Sequence, residues 1–147
     1  MDKKLIKQEI EKIQLSVVED LEASRERLET SADIDENETV DPEDFSRQNE
    51  LGNMATRLKF KVQNSRNELE YLKSLDLDTG DVIQEGSLVI TDSYVFYVSI
   101  PVRPFDMEGK HVVSVSSKAP VYHAMRGKKA GDTFEVAGKT YKVNEVV

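Results

Sequence analysis

Asp33-Ile34-Asp35-Glu36-Asn37-Glu38-Thr39-Val40-Asp41-Pro42-Glu43-Asp44 holds seven carboxylates and no Lys or Arg. The chain on either side of this acidic knot repeats one pattern in mirror image. Before it, apolar or small residues recur at Ile6, Ile10, Ile13, Val17, Leu21, Ser24 and Leu28. After it they recur at Leu51, Ala55, Leu58, Val62, Ser65, Leu69 and Leu72. Steps of three and four are the period of a helical seam. Folding the chain back at about residue 39 or 40 sets Leu28 against Leu51, Leu21 against Leu58, Ile10 against Leu69 and Ile6 against Leu72, and each pair of positions sums to 78 or 79. The pattern predicts a long antiparallel helical hairpin, residues 1–75, with its densest negative charge at the tip, about 33–44.

The first helix is expected from about Lys4 to Ser31 and the second from Pro42 to about Leu75. Asp41 suits an N-cap and Pro42 the first helical position. Glu43 and Asp44 fall in a first turn whose dipole is positive. Ile34 and Phe45 form the last apolar pair, closing a loop of roughly ten residues, and Ile6 to Ile34 would span roughly 42 Å as helix. Gly52 lies inside the second helix at a cost of ~1 kcal/mol.

With 147 residues, the chain has room for one small domain beside the hairpin. Five Phe, five Tyr and no Trp point to a modest core. Zero Cys excludes disulfides and thiolate metal sites and fits a reducing compartment. No stretch approaches the ~20 apolar residues of a membrane span, and Met1-Asp2-Lys3-Lys4 leads into no signal core. A soluble, cytoplasmic protein is expected. A formal charge of −8 disfavours a free-standing nucleic-acid binder that works by neutralising phosphates, so no free DNA binding is expected.

Helical periodicity stops at Leu75-Asp76-Leu77-Asp78-Thr79-Gly80-Asp81, and residues 76–147 read as β. Strands are expected at Ser87–Thr91 and Tyr94–Ile100, joined through Asp92-Ser93, and at His111–Val115. Pro120 to Arg126 reads as a short helix. Thr133–Val136 and Tyr141–Val146 form a hairpin around Ala137-Gly138-Lys139. The class is α+β, a helical hairpin followed by a small antiparallel sheet domain with one helix.

Val115-Ser116-Ser117-Lys118-Ala119-Pro120, followed by Ala124-Met125-Arg126-Gly127-Lys128-Lys129-Ala130-Gly131-Asp132, resembles the carboxy-terminal signature of the bacterial Gre-type (GreA/GreB-like) transcript-cleavage factors. That pattern reads approximately I-S-x-x-S-P-x-x-x-A-L-x-G-K-x-x-G-D. Val115, Ala119 and Met125 replace Ile, Ser and Leu, while the spacing from Pro120 to Gly127 and on to Gly131-Asp132 is kept. The resemblance implies an FKBP-like carboxy-terminal domain that docks on RNA polymerase, nominating Ser116, Ala119, Pro120, Gly127, Lys128, Gly131 and Asp132. It also implies that the hairpin enters the secondary channel, where two tip carboxylates help hold a second Mg²⁺ at the polymerase's active centre and the backtracked RNA 3′ end is cut. A hard cation prefers carboxylate oxygens, and a second ion assists attack on phosphate. Two carboxylates do not hold Mg²⁺ alone, so neither an intrinsic cofactor nor a metal held by this protein alone is expected, and the enzyme would be the polymerase.

The family tip commonly reads D-L-x-E-N, which Asp33-Ile34-Asp35-Glu36-Asn37 matches, nominating Asp33 and Glu36. The mirror symmetry centres nearer Glu38 to Asp41 and nominates Glu38, Asp41 and, further along, Asp44, with Asp41 favoured on geometry. Against any such role, Asp41, Glu43 and Asp44 also suit ordinary helix capping. Arg57, Lys59, Lys61, Arg66 and Lys73 make the second helix locally basic, a face open to RNA or to acidic groups of a polymerase, although charged outer faces of coiled coils are the default. His111 and His123 lack companions at ligand spacing. Ser116 and Ser117 lack a His-Asp arrangement, and Gly127, Gly131 and Asp132 suit turns. Two further functions stand beside cleavage: a channel-binding regulator without cleavage activity, and a peptidyl-prolyl isomerase suggested by fold alone.

Overall fold

The computed structural model describes residues 1–35 and 42–147, the side chains of 31–35, 42–45 and 48 excepted. Two helices come first, α1 (Lys3–Asp35) and α2 (Pro42–Ser74), each of 33 residues. Asp2 Oδ1 accepts from the backbone N–H of Lys4 at 2.9 Å and so caps the start of α1. Pro42 opens α2 where a missing N–H breaks no helical bond. The first helix thus continues past the expected Ser31 to Asp35, and the rest of the expected loop, 36–41, lies outside the described residues.

Six strands and a short helix follow: β1 (Leu88–Thr91), β2 (Val95–Ser99), β3 (Phe105–Met107), β4 (Lys110–Ser116), α3 (Pro120–Met125), β5 (Thr133–Val136) and β6 (Lys139–Val146). The sheet order is β3-β4-β2-β1-β6-β5. The α+β class is as expected, and the sheet is mostly antiparallel. One pair departs: β2 and β4 run parallel, from Val95 opposite Val112 to Ser99 opposite Ser116. The cause is β3, which the sequence reading lacked. It pairs with β4 through a two-residue turn in which Glu108 (φ 53) and Gly109 (φ 74) both take positive φ, the hairpin geometry whose twist matches the strands. Three residues lying just after Pro104 give no alternation to read.

Contacts divide the described chain into two compact units, Met1–Ile13 with Leu69–Val147, and Gln14–Glu68. In the first, the sheet is buried on both faces. Leu88, Ile90, Val95, Tyr97 and Val112 pack with Ile6, Ile10 and Leu72. The alternate residues Val89, Phe96, Val98, Val115 and Val143 pack with Ile83, Tyr122, Met125 and Phe134. This two-sided cover explains why β1 and β2 are buried at every position, with no polar face. Lys7 Nζ donates to the carbonyls of Leu75 at 2.7 Å and Lys73 at 3.2 Å, satisfying acceptors at the end of α2.

In the second unit the helices meet along the expected seam with one shift. Val17 is 41% exposed and Val18 only 5%. Gln14 supplies the preceding seam position, 2% exposed, and its Nε2 donates to Ser65 O at 2.9 Å and Glu68 Oε2 at 3.1 Å. The spacing Gln14–Val18–Leu21 follows the 3.6-residue turn, from which a strict heptad drifts. Glu22 pairs with Arg66 across the helices. Among the described residues, no helix is long and apolar enough to cross a membrane.

Candidate functional site

The acidic knot divides by position. Asp33 and Asp35 fall within α1 (Lys3–Asp35), and Glu43 and Asp44 within α2 (Pro42–Ser74). Glu36 and Asp41 lie outside the described residues.

The signature residues are brought together around α3 as one bonded frame. Ser116 ends β4, its Oγ accepting from Lys118 N at 3.2 Å and its carbonyl from Ala119 N at 3.0 Å. Ala119 is the extended residue before α3 (φ −70, ψ 143), and Pro120 starts the helix. At the other end, Gly127 takes φ 79 and donates to Ile83 O at 3.0 Å, while Ile83 N donates to Lys128 O at 2.9 Å. Gly131 takes φ 94 and donates to Val143 O at 2.7 Å. Asp132 closes the intervening turn, its Oδ2 accepting from Lys129 N at 2.9 Å, and its carbonyl accepts from Val143 N at 2.9 Å. Fixed offsets of Gly, Pro and Asp are therefore what this geometry requires, and the frame leaves Pro120, Gly127, Gly131 and Asp132 exposed.

Other chemistry-bearing side chains have structural uses. His111 Nδ1 meets Asp106 Oδ1 at 2.8 Å as its cross-strand neighbour. These two help to line an open cleft of about 440 Å³ with Asp92, Tyr94 and Lys110. Among the described residues no group of three or more His, Asp or Glu is arranged to hold a metal ion. Tyr94, Phe96, Phe134 and Tyr141 form a ring cluster, with Phe134 and Tyr141 stacked at 5.2 Å. Lys139 Nζ lies 5.1 Å from the Tyr94 ring centre and 5.4 Å from that of Tyr141. Phe96 and Phe134 of this cluster are buried in the core, with Tyr94 and Tyr141 partly buried against them.

Three groups the sequence did not single out lie in or against the core: Lys3 and Tyr97 buried, Tyr71 half-buried. Burial lowers the Lys3 ammonium's pKa against the opposing pull of Asp78. Its Nζ donates to Thr79 Oγ1 and Val147 O, each at 2.9 Å. Burial, then Glu85, pushes the Tyr71 hydroxyl up to about 12. Burial, then Glu11, pushes that of Tyr97 up to about 12 as well. No periodicity signals a buried lysine at a helix start. Tyr97 was legible only as a strand residue.

No protein-family model matches the chain, and no curated protein matches it. Solved structures do. GreA factor homolog 1 (Gfh1) of Thermus thermophilus is 19% identical, with 91% of this chain and 94% of that chain covered, at a TM-score of 0.35. A second structure, of the transcription factor Gfh1, is 21% identical over 91% and 92% of the two chains, at 0.36. Gfh1 of Thermus aquaticus is 20% identical over 92% and 94%, at 0.35. At these values the likeness assigns no function.

Proposed function

We propose that this chain is a Gre-type factor that binds RNA polymerase through its sheet domain and presents the acidic hairpin tip within the secondary channel. The observation that carries this reading is the Ser116–Asp132 frame. The signature's residues are spaced as the family's are and stand together around α3, several of them open to a partner. A second support is the density of carboxylates at positions 33–44, seven with no Lys or Arg among them, since a hard cation held by another molecule prefers carboxylate oxygens.

In this reading Asp33 and Glu36 would help hold a Mg²⁺ together with residues of the polymerase, and such an ion would supply activated water for cutting backtracked RNA. The chain contributes position and negative charge, not a complete site. A regulator that occupies the channel without cleavage is the second reading. One feature of the sequence favours it: Asp41, Glu43 and Asp44 suit an ordinary helix start at Pro42, which accounts for part of the acidic knot without a metal.

The test is RNA length in a stalled, backtracked complex with Mg²⁺. Wild type is expected to shorten the transcript. Asp33→Ala/Glu36→Ala is expected to bind yet lose at least ~10²-fold of that activity, since charge stabilisation at a reacting phosphate is at stake. Asp41→Ala/Asp44→Ala is expected to keep most of it. Binding without shortening by wild type selects the regulator, and absence of binding sinks both readings.

A further inference from the structure

Between Glu50 and Glu68, α2 carries Arg57, Lys59, Lys61 and Arg66 and no carboxylate. In a chain with 28 acidic and 20 basic residues, that stretch is locally reversed in sign. Arg66 is paired with Glu22, whereas Arg57, Lys59 and Lys61 have no ion-pair partner among the described residues. Beside them stand two exposed apolar side chains, Phe60 at 66% and Met54 at 46%. A phenyl ring left this open on a helix has its apolar surface in water, which favours a covering partner.

The cations fall on two sides of the helix. Successive residues turn by ~100°, so Arg57 and Lys59 flank Leu58 on opposite sides. Arg57 and Lys61 (i, i+4) share one side with Met54, and with Leu58 these residues line a shallow groove of about 270 Å³. Phe60 stands one turn on from Arg57, at i+3. The groove's residues, at i, i+3, i+4 and i+7, have the spacing with which one helix packs on another.

We infer that the α2 face of Met54, Arg57, Phe60 and Lys61 is a docking surface for an acidic amphipathic helix of a protein partner. Apolar side chains of that helix lie along Met54 and Phe60, and its carboxylates meet Arg57 and Lys61. Charge complementarity selects the occupant's sign, and the groove selects a polypeptide over a nucleic acid. Base stacking calls for several exposed rings along a basic track, and this face offers one. The inference stands apart from polymerase binding, since it uses neither the signature frame nor the tip.

The test is fluorescence anisotropy of the full chain with three labelled probes: a synthetic helical peptide with a Leu stripe and Glu elsewhere, its Lys-for-Glu counterpart, and a single-stranded oligouridylate. The acidic peptide is expected to bind and to weaken as salt rises from about 50 to about 500 mM. Arg57→Glu/Lys61→Glu is expected to weaken it by ~10-fold or more, and Phe60→Ser by a similar factor. Lys59→Glu, of the opposite side, should change it by no more than about twofold. All substituted positions are exposed, and circular dichroism checks that the helices persist. Failure of the acidic peptide to bind, equal binding by Arg57→Glu/Lys61→Glu, or preference for oligouridylate overturns the inference. So does sedimentation showing that the chain alone self-associates and that Arg57→Glu/Lys61→Glu disperses it.

Discussion

Tyr97 is fully buried between sheet and helices, and its hydroxyl has no hydrogen-bond partner among the described residues. A buried polar atom without a partner keeps its desolvation cost, ~1–3 kcal/mol. Tyr97→Phe is therefore expected to stabilise the protein by about 1 kcal/mol and raise Tm by a few degrees, measured by thermal unfolding. The same burial sets a pH dependence. The Tyr97 and Tyr71 hydroxyls are raised from 10.0 to about 12. Below pH 10 both are protonated, folded or unfolded. Between 10 and 12 the unfolded chain releases protons that the native state retains, so stability falls as pH rises. Denaturant melts across that window should show the loss, and Tyr97→Phe should show less of it. An identical slope in wild type and variant would contradict the placement of Tyr97. Such polar groups were not legible in sequence. Gln14 and Lys3 carry no seam or motif signal, because their hydrogen-bond partners lie 51 to 144 positions away.

At the scale of elements, the signature is read best as turn geometry. Gly127 and Gly131 take positive φ, and a Cβ at either would meet nothing within 4 Å. Replacement by Ala thus costs conformational strain without a clash. Gly127→Ala and Gly131→Ala should each destabilise by ~1 kcal/mol, seen as a lower midpoint in urea. Unchanged midpoints would mean the frame tolerates another conformation. Both long helices, β1, β2, β4, β5 and α3 were legible because each has a clean period or a Pro or Gly boundary. The β3 strand was not, because three residues cannot show alternation. Seam position 18 was displaced from the expected 17 because a polar residue, Gln14, carries the seam through its hydrogen bonds. The tip was legible as charge. The reach of α1 past Ser31 to Asp35 was not, because that stretch offers no stop signal to read.

At the scale of the molecule, one unit joins Met1–Ile13 to Leu69–Val147. Ile6, Ile10 and Leu72 cover the sheet face of Leu88, Ile90, Tyr97 and Val112. A fragment of residues 76–147 would expose that face, so it is expected to bind a hydrophobic dye and to lose the cooperative melt of the full chain. A fragment that melts as sharply and as high would contradict the two-sided core. Sequence periodicity could not reveal this joining, since a helical seam looks the same whether its partner is a helix or a sheet. Polymerase binding is open to a direct measurement, because the chain has no Cys and a single one can be placed at will. Asn37→Cys, bearing a photo-crosslinker, would be added to a stalled, backtracked RNA polymerase complex, with Lys139→Cys as control. Crosslinks from position 37 to the RNA 3′ end or to the catalytic centre of the polymerase are predicted. Binding with crosslinks from position 37 only to the outer surface of the polymerase, or no binding at all, would contradict it.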